Sequence, residues 1–422
     1  MHSPYNPRRA RVLLLALFTL MGFLLAGWLT RIPSVRDSLD LTPSSLGRVL
    51  LVAALGSLGM TLASGYVNTR FGGVLVLRVS AVVQAMAYVS IGLSTVVGSV
   101  WLFVAGVTLQ GVAFAPVNVT INVESAGVER RLGRSVMPQF HALFSIGAVA
   151  GAGFGAAASY LGVSVFAQLT FAAALGFVVQ LACVRGVVHD TRVDRAVQVT
   201  DVVADGGDAG PTAPTTPPAA GGRISGSALA AVSAWTEKRT LLLGIIVFAA
   251  ALSEGSANQW IPLAVVDGFG ALEAVGATIL TVFTASMTVV RLAGTRLLDR
   301  YGRAAVLRAS GIVALAGLVL FVLAPSLPLA VIGVSMWGMG AALVYPITVA
   351  AASDDPLRAA SRVAVVTAFA SIARLSAPPA IGALGELVGI REALGVIAVG
   401  LLLSVLFARQ VRREPVPAEV SR

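Results

Sequence analysis

Twelve continuous apolar runs, each just over twenty residues long, constrain this chain more than any other feature: about 11–33, 44–66, 76–97, 100–122, 138–160, 163–184, 240–262, 272–293, 304–324, 328–350, 363–385 and 389–410. About 20 apolar residues in helical conformation match the hydrocarbon thickness of a bilayer, and their continuity excludes the every-second-residue pattern of a spanning β-strand. A charged fraction of 12% and a mean hydropathy of +0.87 agree, since a soluble domain carries about 25% charged residues. The expected fold is an all-α membrane protein with 12 transmembrane helices in two pseudo-symmetric six-helix bundles. The bundles occupy 1–190 and 239–422, and 191–238 forms a flexible linker. The first run follows Arg8, Arg9 and Arg11 as a signal peptide would, but it is too long, lacks an Ala-x-Ala site and precedes many similar runs, so it reads as the first span.

The formal net charge of +10 matters for where the charge lies. With the N-terminus cytoplasmic, only Arg31, Arg36, Arg48 and Arg391 fall outside, Arg291 and Arg374 fall within spans, and the rest of the 30 Lys and Arg lie on the cytoplasmic side. That asymmetry predicts a cytoplasmic-membrane protein with both termini inside, and gives the basic charge a topological meaning that needs no nucleic-acid partner. The linker centre, from Asp201 to Gly222, has almost no residue able to build a core and reads as a tether, and Ala228–Arg239 reads as a short amphipathic helix. The single cysteine, Cys183, excludes an internal disulfide and reads as a small buried apolar residue.

The chain also repeats itself. Sliding it by 230 positions lays Arg70, Phe71 and Gly72 on Arg300, Tyr301 and Gly302, and without a gap lays Leu77-Arg78 on Leu307-Arg308, Pro116 on Pro346 and Glu124 on Asp354. Two copies of one unit, each with a charged turn between long apolar runs, point to a transporter built of two bundles that rock against each other. The stretch Asp299-Arg300-Tyr301-Gly302-Arg303 and its weaker copy at 69–73 resemble the turns of the major facilitator superfamily. Thr69 stands where that family usually has Asp, and Gly73 where it usually has a basic residue. Trp28 to Pro33, Glu254-Gly255 and Pro378-Pro379 with Gly382 resemble a bacterial branch near the fucose-permease-like transporters. The resemblance implies that the turns (Arg70, Gly72, Asp299, Arg300, Gly302, Arg303) latch the halves in the outward-facing state. Asp299 would then sit near a helix N-terminus or near Arg291.

Charged groups in hydrocarbon cost at least a few kcal/mol, so each deep one needs a partner or a task. Glu254 lies about 21 Å into a core of about 30 Å, with Asn258 one turn later. A carboxylate there either exchanges a proton as its surroundings change or sits in a permanent structural ion pair. Arg374, about 16 Å into the eleventh span on a face with Thr367 and Ser371, would either pair with Glu254 or hold an anionic group of the substrate. Trp28 and Arg31 either snorkel at the outer interface or line the outer mouth. Asn118 and Asn122, in a stripe with Gln110 and Phe114, are either packing glue or cavity groups. His141, with Ser145 one turn on, is either an interfacial histidine or a proton relay. Glycines 147, 151 and 155 form a smooth packing stripe, and Pro116 and Pro346 interrupt helical hydrogen bonding.

No phosphate loop, clustered metal spacing or nucleophile elbow stands in the chain, so no cofactor, no metal and no enzyme activity are expected. The expected function is secondary active transport of a small organic solute by alternating access, proton-coupled, by a monomer whose partners are solute, protons and lipid. The alternatives are proton-coupled efflux of drugs or metabolites, and a non-transporting membrane sensor or scaffold acting through the linker.

Overall fold

The computed structural model describes residues 6–132, 136–188, 234–355 and 358–412. Twelve of its helices are long and apolar enough to cross a membrane: α1 (Pro7–Leu29), α2 (Pro43–Phe71), α3 (Gly73–Val97), α4 (Val100–Glu129), α5 (Gln139–Tyr160), α6 (Val165–Val187), α7 (Lys238–Phe269), α8 (Glu273–Tyr301), α9 (Arg303–Leu323), α10 (Leu327–Ala352), α11 (Ser361–Val388) and α12 (Ile390–Val411). The expected tether at 201–222 and the start of the expected amphipathic helix lie outside the described residues. Just before α7, the ring of Trp235 stacks on Phe369 of α11 at 6.0 Å.

Local chemistry sets the helix starts. The side chain of Asn6 accepts from the Arg8 N–H at 3.0 Å, Thr42 accepts from Ser45 and Ser164 from Ala167, and prolines occupy the first turn at Pro7 and Pro43. Such caps satisfy amide donors that a helix cannot satisfy internally. Gly72 (φ 80°, ψ 149°) and Gly302 (φ 75°, ψ 160°) link α2 to α3 and α8 to α9 in nearly the same backbone conformation. That region is essentially open to glycine alone, and another residue there would cost about 1–3 kcal/mol. The side-chain geometry repeats too, with Arg70 over the Phe71 ring at 5.9 Å and Arg300 over Tyr301 at 5.3 Å.

The packing is also doubled. In the first half α1 packs on α4, α5 and α6, α4 packs on α2 and α3, and α3 packs on α6. In the second half α7 packs on α10, α11 and α12, α10 packs on α8 and α9, and α9 packs on α12. The expected glycine stripe lies between α1 and α5, where a Cβ on Gly147 would stand 2.0 Å from the Thr19 carbonyl oxygen and one on Gly151 2.1 Å from that of Phe23. With no helix-to-helix hydrophobic drive inside lipid, such close backbone approach holds a bundle together.

The halves meet along α2 with α11 and α5 with α8, again related by the repeat. Near the start of α2 the contact is tight, since a Cβ on Gly47 would stand 2.5 Å from the Pro378 carbonyl oxygen, and one on Gly382 2.5 Å from that of Pro43. Gly65 lies five full turns further along the same face of α2, and nothing stands within 4 Å of its would-be Cβ. The bundles are therefore sealed at the face away from the chain ends and diverge towards the face that carries them.

Candidate functional site

Glu254 stands at the midpoint of α7, and its partner is Arg291 of α8. The Arg291 Nη2 group donates to both Glu254 carboxylate oxygens at 3.1 Å, and each side chain is about one-third exposed (31% and 32%). The other edge of the same guanidinium donates from Nε to the Ala342 carbonyl oxygen at 3.3 Å. Sequence explains that second bond. α10 breaks into Leu327–Ala341 and Val344–Ala352, and the residue four after Ala342 is Pro346, which has no N–H to return to that carbonyl. Arg291 supplies the missing donor, so one side chain ties the intramembrane acid to the break in α10.

This corrects the expected pairing of Glu254 with Arg374. Arg374 is exposed, and among the described residues it has no ion-pair partner. It lies one turn before Pro378 on the face of α11 that closes on Gly47, so it points into the space opening between the halves. Thr367 and Ser371 share that face, with Thr367 exposed and the Ser371 hydroxyl returned to its own helix. Asn258 donates to the Glu254 carbonyl oxygen at 2.9 Å. Asn118 is exposed, and Asn122 donates to its backbone and side-chain oxygens at 2.8 and 3.1 Å. His141, exposed on the first turn of α5, meets the Phe18 ring edge-on at 5.6 Å and lies within reach of the Arg291 charge.

The sealed face is held by charge across the halves. Arg31, just after α1 and only 4% exposed, has its Nε 3.1 Å from a carboxylate oxygen of Glu273, the first residue of α8. It also donates to the Gln168 side chain at 2.8 Å and the Val163 carbonyl oxygen at 3.0 Å. Glu273 in turn accepts from the Ser34 N–H at 2.8 Å and the Ser159 hydroxyl at 2.7 Å. A second cross-half pair joins Arg36 to Asp267 at 2.5 Å. Burial pushes Arg31 below an ordinary guanidinium and Glu273 works the other way. For Arg36, burial is outweighed by the bonds to Asp267 and Asp37, which raise it. Trp28 is 4% exposed, and its indole N–H has no partner among the described residues. In this state its ring is core rather than mouth, so it stacks on nothing that enters.

At the chain-end face the expected contact of Asp299 with Arg291 is absent among the described residues. Asp299 is exposed, whereas Arg291 stands about 12 Å deeper along α8 and is engaged with Glu254. The acid that serves the turn is Asp354, which binds Arg303 at 2.6 Å and Arg239 at 3.3 Å, while Glu237 binds Arg362 at 2.5 Å. These staples lie within the second half. Sequence reasoning did not single out Glu273, Asp267 or Asp354 as partners. The signal for the first two was available, because Arg31 and Arg36 are among the few cations on their side of the bilayer and need acids there.

The family model of the Major Facilitator Superfamily matches residues 12–356 and 243–422. The uncharacterized transporter y4wD of Sinorhizobium fredii is 30% identical over 370 residues, which cover 87% of this chain and 89% of the relative. Among solved structures the nucleoside transporter NupG aligns with a TM-score of 0.71 at 16% identity, over 96% of this chain and 100% of that one. The Escherichia coli fucose:proton symporter FucP aligns with a TM-score of 0.56 at 14% identity, over 96% and 100%. At those identities the two structures speak for the fold alone. The twelve spans, the doubled packing and these matches together show that the chain belongs to the major facilitator superfamily of multi-pass membrane transporters.

Proposed function

We propose that this transporter is a proton-coupled secondary carrier of a small polar organic solute bearing an acidic group. In this reading it sits in the cytoplasmic membrane with both termini inside, and works by alternating access as a monomer. The units 1–190 and 239–422 are the moving bodies, and 191–238 tethers them. The carrying observation is the Glu254–Arg291 pair, one-third exposed at mid-depth beside the space between the halves. An ionised carboxylate in that position is tolerable while Arg291 faces it. Without Arg291 it is a lone charge in a poorly hydrated setting, which a proton neutralises.

The positive-inside distribution makes the chain-end face cytoplasmic, so the described state is open inward. Arg374, with Glu254 already satisfied by Arg291, is left to hold an anionic group of the solute, with Asn118 and Asn258 beside the same opening. Reopening to the outside requires parting Arg31 from Glu273, Arg36 from Asp267, and the Gly47–Pro378 contact. Closing inward brings the charged turns at Arg70–Gly72 and Arg300–Arg303 towards each other. His141, near both the inner end and Arg291, relays the proton.

A solute found by its stabilising thermal shift on the purified protein supplies the assay. Proteoliposomes should accumulate it under a pH gradient and stop when a protonophore collapses that gradient. Equal accumulation with and without the gradient contradicts proton coupling. Loss of the thermal shift in Arg374→Gln with the fold intact is expected, and its full retention contradicts the role given to Arg374.

A further inference from the structure

The charged turn between α8 and α9 borders a second feature that solute transport does not use. Two adjoining hollows, of about 710 and 340 Å³, share Ala304, Ala305 and Arg412. Arg303 and Asp299 line the larger, and Arg308, Arg409 and Ile312 line the smaller. Together they form a groove that starts at the end of α8, at Leu298 and Tyr301, and continues along the seam between α9 and α12. Neither α9 nor α12 takes part in the α2–α11 or α5–α8 contacts that join the halves, so the part of the groove along their seam faces outward from the bundle.

Its charges are unbalanced. Arg303 is already held by Asp354, but among the described residues Arg308, Arg409 and Arg412 have no acidic partner. Asp299 is the acid that lines the groove with them. The groove is also amphipathic. Arg308 lies about 7.5 Å along α9 from Arg303, Ala305 and Ile312 share its face, and Ala309 lines the smaller hollow with them. Ile312 is 51% exposed, one turn deeper than the Arg308 cation. Cations at the end of a span with an exposed apolar strip running inward match a phosphate with acyl chains below it, and basic pockets on the cytoplasmic side of spans are suited to anionic headgroups. A soluble anion would use the arginines and leave the apolar strip uncovered.

We infer that the α9–α12 groove binds the headgroup of an anionic phospholipid through Arg308, Arg409 and Arg412. The headgroup then rests beside the Gly302 turn, on the element that moves towards the first half when the inner face closes.

The probe is dioctanoyl phosphatidylglycerol, titrated onto the purified full-length protein in detergent and read by native mass spectrometry, with dioctanoyl phosphatidylcholine in parallel. The wild type should retain phosphatidylglycerol and shed phosphatidylcholine, and excess inorganic phosphate should not displace the lipid. Arg308→Gln, Arg409→Gln and Arg412→Gln together should weaken phosphatidylglycerol about 100-fold, from about fivefold per arginine. If that triple variant does not fold, Arg409→Gln alone should show the single-site loss. Arg78→Gln, at the same position of the first repeat, should bind as the wild type does. Equal retention of both lipids, undiminished binding by the triple or single variant, or an equal loss in Arg78→Gln overturns the assignment. Displacement by inorganic phosphate shows a soluble-anion site and overturns it as a lipid site.

Discussion

The two halves share a backbone and differ in charge. Gly72 and Gly302 adopt the same turn, most helices pair in the same order although α7 packs on α8 where α1 does not pack on α2, and Pro116 and Pro346 stand at the same place in the repeat. Yet Leu24 occupies the repeat position of Glu254, and Thr61 that of Arg291. Leu24 is 3% exposed, and a Cβ on Gly176 of α6 would stand 2.9 Å from its Cδ1. Where the second half keeps an ion pair, the first half keeps packed hydrocarbon. The break also differs, because α4 runs through Pro116 unbroken while α10 parts at Ala342 and lends its carbonyl to Arg291. Duplication thus provides the scaffold, and among the described residues the Glu254–Arg291 pair has no counterpart at the repeat positions Leu24 and Thr61.

The harshest way to break this contrast is to give the first half a charge of its own. Leu24→Glu places a carboxylate against α6 without an arginine to meet it, and should cost at least about 3 kcal/mol. Thermal melting of the purified variant should show a collapse in stability, and a near-wild-type melt would mean the first half is not packed as described. Arg291→Gln should cost about 1–2 kcal/mol, less than for a fully buried pair because both side chains are partly solvated. Its sharper form is a cycle with Pro346→Ala, which returns an N–H to the Ala342 carbonyl. That change should recover about 1 kcal/mol in the Arg291→Gln background beyond its effect in the wild type. An identical effect in both backgrounds would break the link between the ion pair and α10.

Gly72→Ala and Gly302→Ala should each lose about 1–3 kcal/mol, by similar amounts. Unequal losses would show that the shared turn is not equally loaded in the two halves. The smallest effect concerns Glu237, outside the spans. Burial raises it, but the bonds from Arg362 and Thr240 win and hold it below the ordinary carboxylate range. A carboxyl lowered in the folded state adds stability above its unfolded pKa of about 4.3 and loses it as pH falls through the lowered value. The melting difference between wild type and Glu237→Gln should be full at neutral pH and shrink below about pH 4. A difference independent of pH would contradict it.

Hydropathy made the twelve spans legible because continuous apolar runs have one meaning in lipid. It misjudged their ends, as α7 continues to Phe269 and α2 to Phe71, beyond the expected 262 and 66. The last turn of α2 carries Asn68, Thr69 and Arg70, which hydropathy does not mark as span, whereas α7 runs on through Pro262 into the apolar residues Leu263 to Val266 of the same helix. Within the site, Glu254 and Arg374 stood out as charges without neighbours in sequence, but which cation meets Glu254 depends on how α7 and α8 are rotated, which periodicity does not fix. Pro346 carried the missing clue, since a proline in a span leaves a carbonyl that some donor must serve. On sequence alone Arg291 is as available to Asp299, eight residues on along the same helix, as it is to Glu254.

The central claim, that the ion pair of the second half couples solute movement to protons, is tested most directly in proteoliposomes bearing Glu254→Gln. Exchange of solute between the two sides should persist near the wild-type rate, while accumulation against a gradient is lost and the rate no longer varies with pH. Accumulation that survives with its pH dependence unchanged would contradict the account.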